Sequence, residues 1–136
     1  MIVVVRVRGI HNVAPKIRHT LKLLRLHKPN HAVVVPDTPA IRGMLKVVKD
    51  YVTYGEVSDE TLLKLIQKRG EKGSKKVANP EEVLERMKKG EKYDDLMDPV
   101  FRLHPPRKGW KSIKKAYPYG ALGPRDNMDE LLKRMM

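Results

Sequence analysis

A chain of 136 residues has room for one domain, or a small domain with an appendage, around a single modest core. Its 29 Lys and Arg against 16 Asp and Glu give a formal net charge of +13, more than solubility requires, so a polyanionic partner is indicated, either nucleic acid or an anionic membrane. The absence of cysteine excludes thiolate catalysis, disulfides and cysteine-ligated metals; no apolar stretch approaches the roughly 20 residues of a membrane span, and "MIVVVRVRG" is too short and arginine-interrupted for a signal peptide, so a cytoplasmic location is expected.

In chain order, "IVVVRVR" reads as a strand with Val3, Val5 and Val7 on one face and Ile2, Val4, Arg6 and Arg8 on the other, which turns basic towards Gly9. Pro15 suits a first helical position, and Ile17, Leu21 and Leu24 recur at helical spacing, with Arg18, Lys22 and Arg25 round the same cylinder. "AVVV", residues 32–35, is a short β-branched strand. Thr38 caps a second helix with Pro39 at its start and Ile41, Met44, Leu45 and Val48 as its stripe. "YVTYGEV", residues 51–57, is a third strand with Gly55 as a weak point or bulge.

A βαβαβ unit of this size buries only about 60% of its unfolded surface, so the rest of the chain is expected to add to it. Ser58 caps a helix with Leu62, Leu65 and Ile66 inward, ending at Gly70; "EKGSKK", residues 71–76, has linker or loop composition; Asn79 and Pro80 open a fourth helix that closes near Gly90. "NMDELLKRMM" pairs Asn127 with Glu130 in a capping-box-like pattern and offers Met128, Leu131, Leu132 and Met135 for docking.

The charge is localised. Residues 1–36 and 101–125 each hold seven Lys or Arg and no acid, which leaves the remainder at −1. Helices exposed only to solvent mix both signs, as residues 56–98 do, so acid-free stretches imply a surface shaped by a fixed anion. For residues 101–125, ordering the backbone costs about 25 to 50 kcal/mol, beyond the return of their few apolar groups, so this segment is expected to need an external surface.

The order of "VRVRG", "PKIRHTLKLLRL" and "DTPAIRGML", followed by "YVTYGEV" and the tail "FRLHPPRKGW…YPYGALGPR…LLKR", closely resembles the large-subunit ribosomal protein L thirty family in its archaeal, long form, over nearly the whole chain. The resemblance implies an α+β fold: a compact βαβαβ core at residues 1–57, similar to ferredoxin-like folds, with a three-stranded antiparallel sheet backed by helices. Residues 58–136 would form a helical and extended C-terminal extension packing on the core and on RNA. Element order alone, with a helix between successive strands, would by default suggest parallel pairing. The resemblance further implies a structural constituent of the large ribosomal subunit, bound to the large rRNA and to 5S rRNA beside neighbouring large-subunit proteins, with no membrane or small-molecule partner.

Candidate RNA-binding residues are Arg6, Arg8, Lys16, Arg18, Lys22, Arg25 and Lys28 in the first stretch, and Arg102, His104, Arg107, Lys108, Trp110, Lys111, Lys114, Lys115, Tyr117 and Arg125 in the second. The cations would neutralise phosphates, which positions an RNA without reading its sequence, and Trp110 and Tyr117 would stack on bases or anchor the tail on the protein. Asp37 beside Thr38 is explained by helix capping; His11, His19, His27, His31 and His104 form no close metal pair with a carboxylate and suit an ordinary polar or RNA-contacting role; no glycine pattern cradles a nucleotide, and no catalytic residue, metal or cofactor is expected. The same charge pattern would serve an extra-ribosomal RNA-binding or RNA-chaperone module.

Overall fold

The structure, a computed structural model, describes residues 1–9, 13–72, 75–77, 79–90, 97, 100–106, 109, 112–116, 120–125 and 128–136. Strand β1 (Ile2–Arg6) lies at the centre, and Ile2, Val3, Val4 and Val5 are all essentially inaccessible to solvent. Burial on both faces explains why the strand is apolar almost throughout. It is flanked by β2 (His31–Val35) and β3 (Val52–Glu56), both antiparallel to it, in registers that include Val4 opposite Val33 and Val4 opposite Tyr54. The antiparallel arrangement implied by the family resemblance therefore holds, and the default parallel reading does not: each helix returns the chain to pair beside β1 in the opposite direction.

Helices α1 (Pro15–Leu23) and α2 (Pro39–Val48) cover one face of the sheet. Ile2, Val4 and Val33 meet Leu21, Leu24, Leu45 and Val48 there. Thr38 caps α2 as expected, accepting from Ile41 N at 3.2 Å. The other face, bearing Val3, Val5, Ala32 and Val34, is covered by α3 (Asp59–Arg69), α4 (Pro80–Lys89) and α5 (Met128–Met135). Ser58 caps α3 by accepting from Thr61 N at 3.3 Å, whereas Asn79 precedes α4 without a side-chain cap bond. All four apolar residues expected to dock the C-terminal helix are buried in this second cluster; Asn127 lies outside the described residues.

Two stretches that carry no strand signal in the sequence form short strands. Within residues 71–76, read as linker or loop, β4 (Glu71–Lys72) and β5 (Lys75–Lys76) pair antiparallel. The described part of the acid-free tail, expected to need an external surface, pairs in part with the protein itself. Strand β6 (Phe101–Arg102) pairs with the free edge of β2, while β8 (Gly120–Pro124) pairs parallel to β3 and carries β7 (Ser112–Ala116), completing a sheet of order β6-β2-β1-β3-β8-β7. An apolar count undervalues this segment because part of its stabilisation comes from pairing backbone groups with open sheet edges, besides the buried Phe101, Leu103 and Leu122.

Gly55 is not a bulge, since it stays in register opposite Val3. It is where a second backbone comes close: a Cβ there would lie 2.5 Å from Arg125 O and 3.3 Å from Met128 Cβ. Arg125 N donates to Tyr54 O at 2.9 Å, and Thr53 Oγ1 donates to Gly123 O at 3.0 Å, so the tail is fastened along β3.

Candidate nucleic-acid interface

The first acid-free stretch supplies α1 and the turn after it. Pro15 begins the helix with its ring at N1, and the chain leaves it through Arg25, whose φ of 63° is left-handed, with Leu26 N bonded back to Leu21 O. Leu21 and Leu24 turn inward, which leaves Lys16, Arg18, Lys22 and Arg25 exposed together with Lys28. Among the described residues, none of these five cations takes part in an ion pair.

The opposite layer is built differently. On α3 and α4, Lys64 pairs with Glu60, Arg86 with Glu82, Lys89 with Glu85, and Lys88 with Asp59 at 2.7 Å across the two helices. Those pairs are exposed and contribute little to stability, but they match these four cations with carboxylates. At Lys16, Arg18, Lys22, Arg25 and Lys28 an approaching polyanion therefore meets exposed cations that have no carboxylate partner among the described residues.

The other candidates are placed unequally. Arg6 is not on the surface: it is 1% exposed, and its guanidinium donates from Nη1 to Leu26 O at 2.7 Å and from Nε to Arg8 O at 2.9 Å. Alternation assigns it to the correct face, but the chain after α1 covers that end of the face. Burial disfavours its charged form and lowers its pKa. Arg8 is half-buried with its guanidinium 5.1 Å from the centre of the Tyr51 ring. Arg102, opposite His31 in the β2–β6 pairing, shares its guanidinium with Glu71 at 3.5 Å.

His104 follows the buried Leu103, with Nδ1 2.6 Å from Pro105 O. Arg125 is half-buried next to Gly55, at the end of the sheet away from Arg6 and Arg102, and is not brought together with them. Lys114 and Lys115 lie in β7; Arg107, Lys108, Trp110, Lys111 and Tyr117 lie outside the described residues.

The α1 side also carries groups that an acid-free count passes over. Lys46 and Lys49, exposed at the end of α2 and unpaired among the described residues, sit in a stretch flanked by Asp37 and Asp50. Leu23, 60% exposed next to Lys22, adds an apolar spot. Sequence reasoning leaves His31 among the histidines with a polar or RNA-contacting role and gives it no neighbours; the pairing with β6 places it against Arg102. No group of three or more His, Cys, Asp or Glu suited to a metal occurs among the described residues, and no helix there is long and apolar enough to cross a membrane.

Residues 2–52 match the family model for ribosomal protein L30p/L7e. The chain is 48% identical to large ribosomal subunit protein uL30 of Archaeoglobus fulgidus, with 99% of each chain covered. It is 47% identical to the uL30 protein of Methanococcus maripaludis, covering 98% of this chain and 97% of that one, and 42% identical to that of Methanobrevibacter smithii over the full length of both. With likeness of this degree from end to end, the chain belongs to the archaeal-type uL30 family of large ribosomal subunit proteins.

Proposed function

We propose that the chain binds and stabilises rRNA in the large ribosomal subunit, in the cytoplasm, with the large rRNA as its main partner and 5S rRNA and neighbouring subunit proteins as further ones. Its role is structural, not enzymatic. The observation that carries this reading is the contrast between the two helical layers: five exposed cations from Lys16 to Lys28 without ion pairs among the described residues, against Lys64, Arg86, Lys88 and Lys89 on α3 and α4, each paired with a carboxylate.

The α1 surface supplies phosphate contacts that fix position and orientation. Residues 1–57 act as the ribosomal core, and residues 58–136 extend it, with Arg102, His104, Arg107, Lys108, Trp110, Lys111, Lys114, Lys115, Tyr117 and Arg125 reaching further RNA. The 5S contact is supported by the family resemblance alone.

Binding to a large-subunit rRNA transcript, followed across salt, tests the proposal. With about 6 to 10 phosphate contacts, affinity is expected to fall by roughly 10³ to 10⁵ between about 50 and 200 mM salt. A flat response overturns it. Tagged protein in cell extract is expected to sediment with large subunits at moderate salt; free sedimentation would favour an extra-ribosomal RNA-binding module instead.

A further inference from the structure

Beyond the last paired residues of β1 and β2, Val5 and Ala32, the two strands end in Arg6 and His31, and Asn30 N donates to Arg6 O at 2.7 Å. Alternation puts both side chains on the α1 face: Arg6 follows Ile2 and Val4, and His31 precedes Val33 and Val35. On the far side of His31 its register partner in β6 is Arg102. Three strands that are far apart in sequence thus end in a basic row, and the turn before β2 brings His27 and Lys28, both exposed, next to it.

At the outer edge of the row Arg102 pairs with Glu71 at 3.5 Å. Arg6, buried beneath, has no carboxylate partner among the described residues, and its Nη2 has no hydrogen-bond partner; Asn30 Oδ1 and His31 Nδ1 are likewise buried and unpartnered. A buried cation is costly unless an anion lies close to it, so this end of the sheet is set up to gain when an anion is brought to it.

We propose that His31, Lys28, His27 and Arg102, above the buried charge of Arg6, form a subsite for one RNA backbone phosphate at the β1–β2–β6 end of the sheet. The inference rests on the RNA-binding reading above and adds a place and a titratable group to it. Lys28, His27 and Arg102 are exposed enough to touch the phosphate, His31 is half-buried between them, and Arg6 strengthens the field from below.

The electrostatics agree with the geometry. The His31 pKa is held below the ordinary histidine value, first by desolvation and then by the charges of Arg102, Lys28, His27 and Arg6, which face it from β6, the preceding turn and β1. A phosphate among these groups reverses the dominant charge at the ring, and an opposite charge within about 4 to 6 Å moves a pKa by about one to three units. Binding then takes up a proton on His31.

The test uses the full chain with isotope-labelled histidine, the His31 ring signal being identified by its loss in His31→Gln. Inorganic tripolyphosphate is the compact probe, and a large-subunit rRNA transcript is the second ligand. Tripolyphosphate is expected to raise the His31 titration midpoint by at least about one unit. Affinity for the transcript is expected to fall several-fold as pH rises from about 5.5 to 7.5, with the fall reduced in His31→Gln.

A His31 midpoint unmoved by saturating tripolyphosphate, with transcript affinity of the same pH dependence in wild type and His31→Gln, overturns the subsite and leaves RNA binding standing. Absence of transcript binding at low salt overturns the RNA-binding reading and the subsite with it. Because the midpoint is measured in the wild-type chain, the result does not depend on how well the variant folds.

Discussion

Replacing Arg18, Lys22 and Arg25 together with glutamine removes three exposed cations of α1 and the turn after it that are in no ion pair among the described residues, so no internal salt bridge is broken. On a duplex-like RNA surface each neutralised phosphate adds about 0.9 to the slope of log affinity against log salt. Leaving three phosphates without their cations lowers the slope by about 2.7, which over a fourfold rise in salt, from about 50 to 200 mM, amounts to about a 40-fold smaller fall in affinity. Filter binding of a large-subunit rRNA transcript across that range measures it, with urea unfolding as the check that the fold is retained. The control replaces Lys64, Arg86 and Lys89, whose charges pair with Glu60, Glu82 and Glu85 on the opposite layer, and is expected to change the slope by less than about one. An unchanged slope in the α1 variant, or an equal drop in the control, refutes the assignment of the interface to the α1 side.

Three further outcomes concern the fold. Gly55→Ala drives a Cβ to 2.5 Å from Arg125 O, a backbone atom that cannot swing aside, and is expected to cost about 1 to 3 kcal/mol in urea unfolding; wild-type stability would contradict the close approach of the tail to β3. Phe101→Ala empties a fully buried site in the α3–α5 cluster and is expected to cost about 3 to 5 kcal/mol, whereas a change under about 0.5 kcal/mol would mean that β6 is not part of the free protein's core. Because the His31 pKa is lowered in the native state, the unfolded chain takes up that proton at higher pH; native stability is expected to rise with pH from the depressed native midpoint up to about 6.5 and then to level off, with this component missing in His31→Gln. Identical pH profiles of the two proteins, followed by unfolding midpoints, would contradict the placement of His31.

Much of the core is legible because its signals are local. Pro15, Thr38 and Ser58 mark helix starts by their own chemistry, and the stripes at Leu21 and Leu24, at Leu45 and Val48, and at Leu62, Leu65 and Ile66 point inward as their spacing requires. Strand direction is not legible from element order, since it depends on how each helix returns the chain. The tail escapes sequence reading for a related reason: Phe101–Arg102 and Gly120–Pro124 offer too few alternating apolar residues to read as strands, and their order comes from sheet edges contributed by distant residues.

The charged site divides the same way. The exposed cations of α1 follow from the helical pattern, because Leu21 and Leu24 fix which side is inward. Arg6 reads as a surface group in the sequence because alternation shows the face of a strand but not what covers it; the turn at Leu26 covers this one. The row formed by Arg6, His31 and Arg102 is beyond the reach of periodicity, since it exists only where β1, β2 and β6 end side by side.

Cross-linking of the protein to RNA in intact large subunits, with the linked residues identified by mass spectrometry, tests the central claim most directly. Links concentrated between Lys16 and Lys28, and few on the ion-paired surfaces of α3 and α4, are expected. Links concentrated on α3 and α4 instead, or large subunits in which the α1 face meets no RNA, would contradict it.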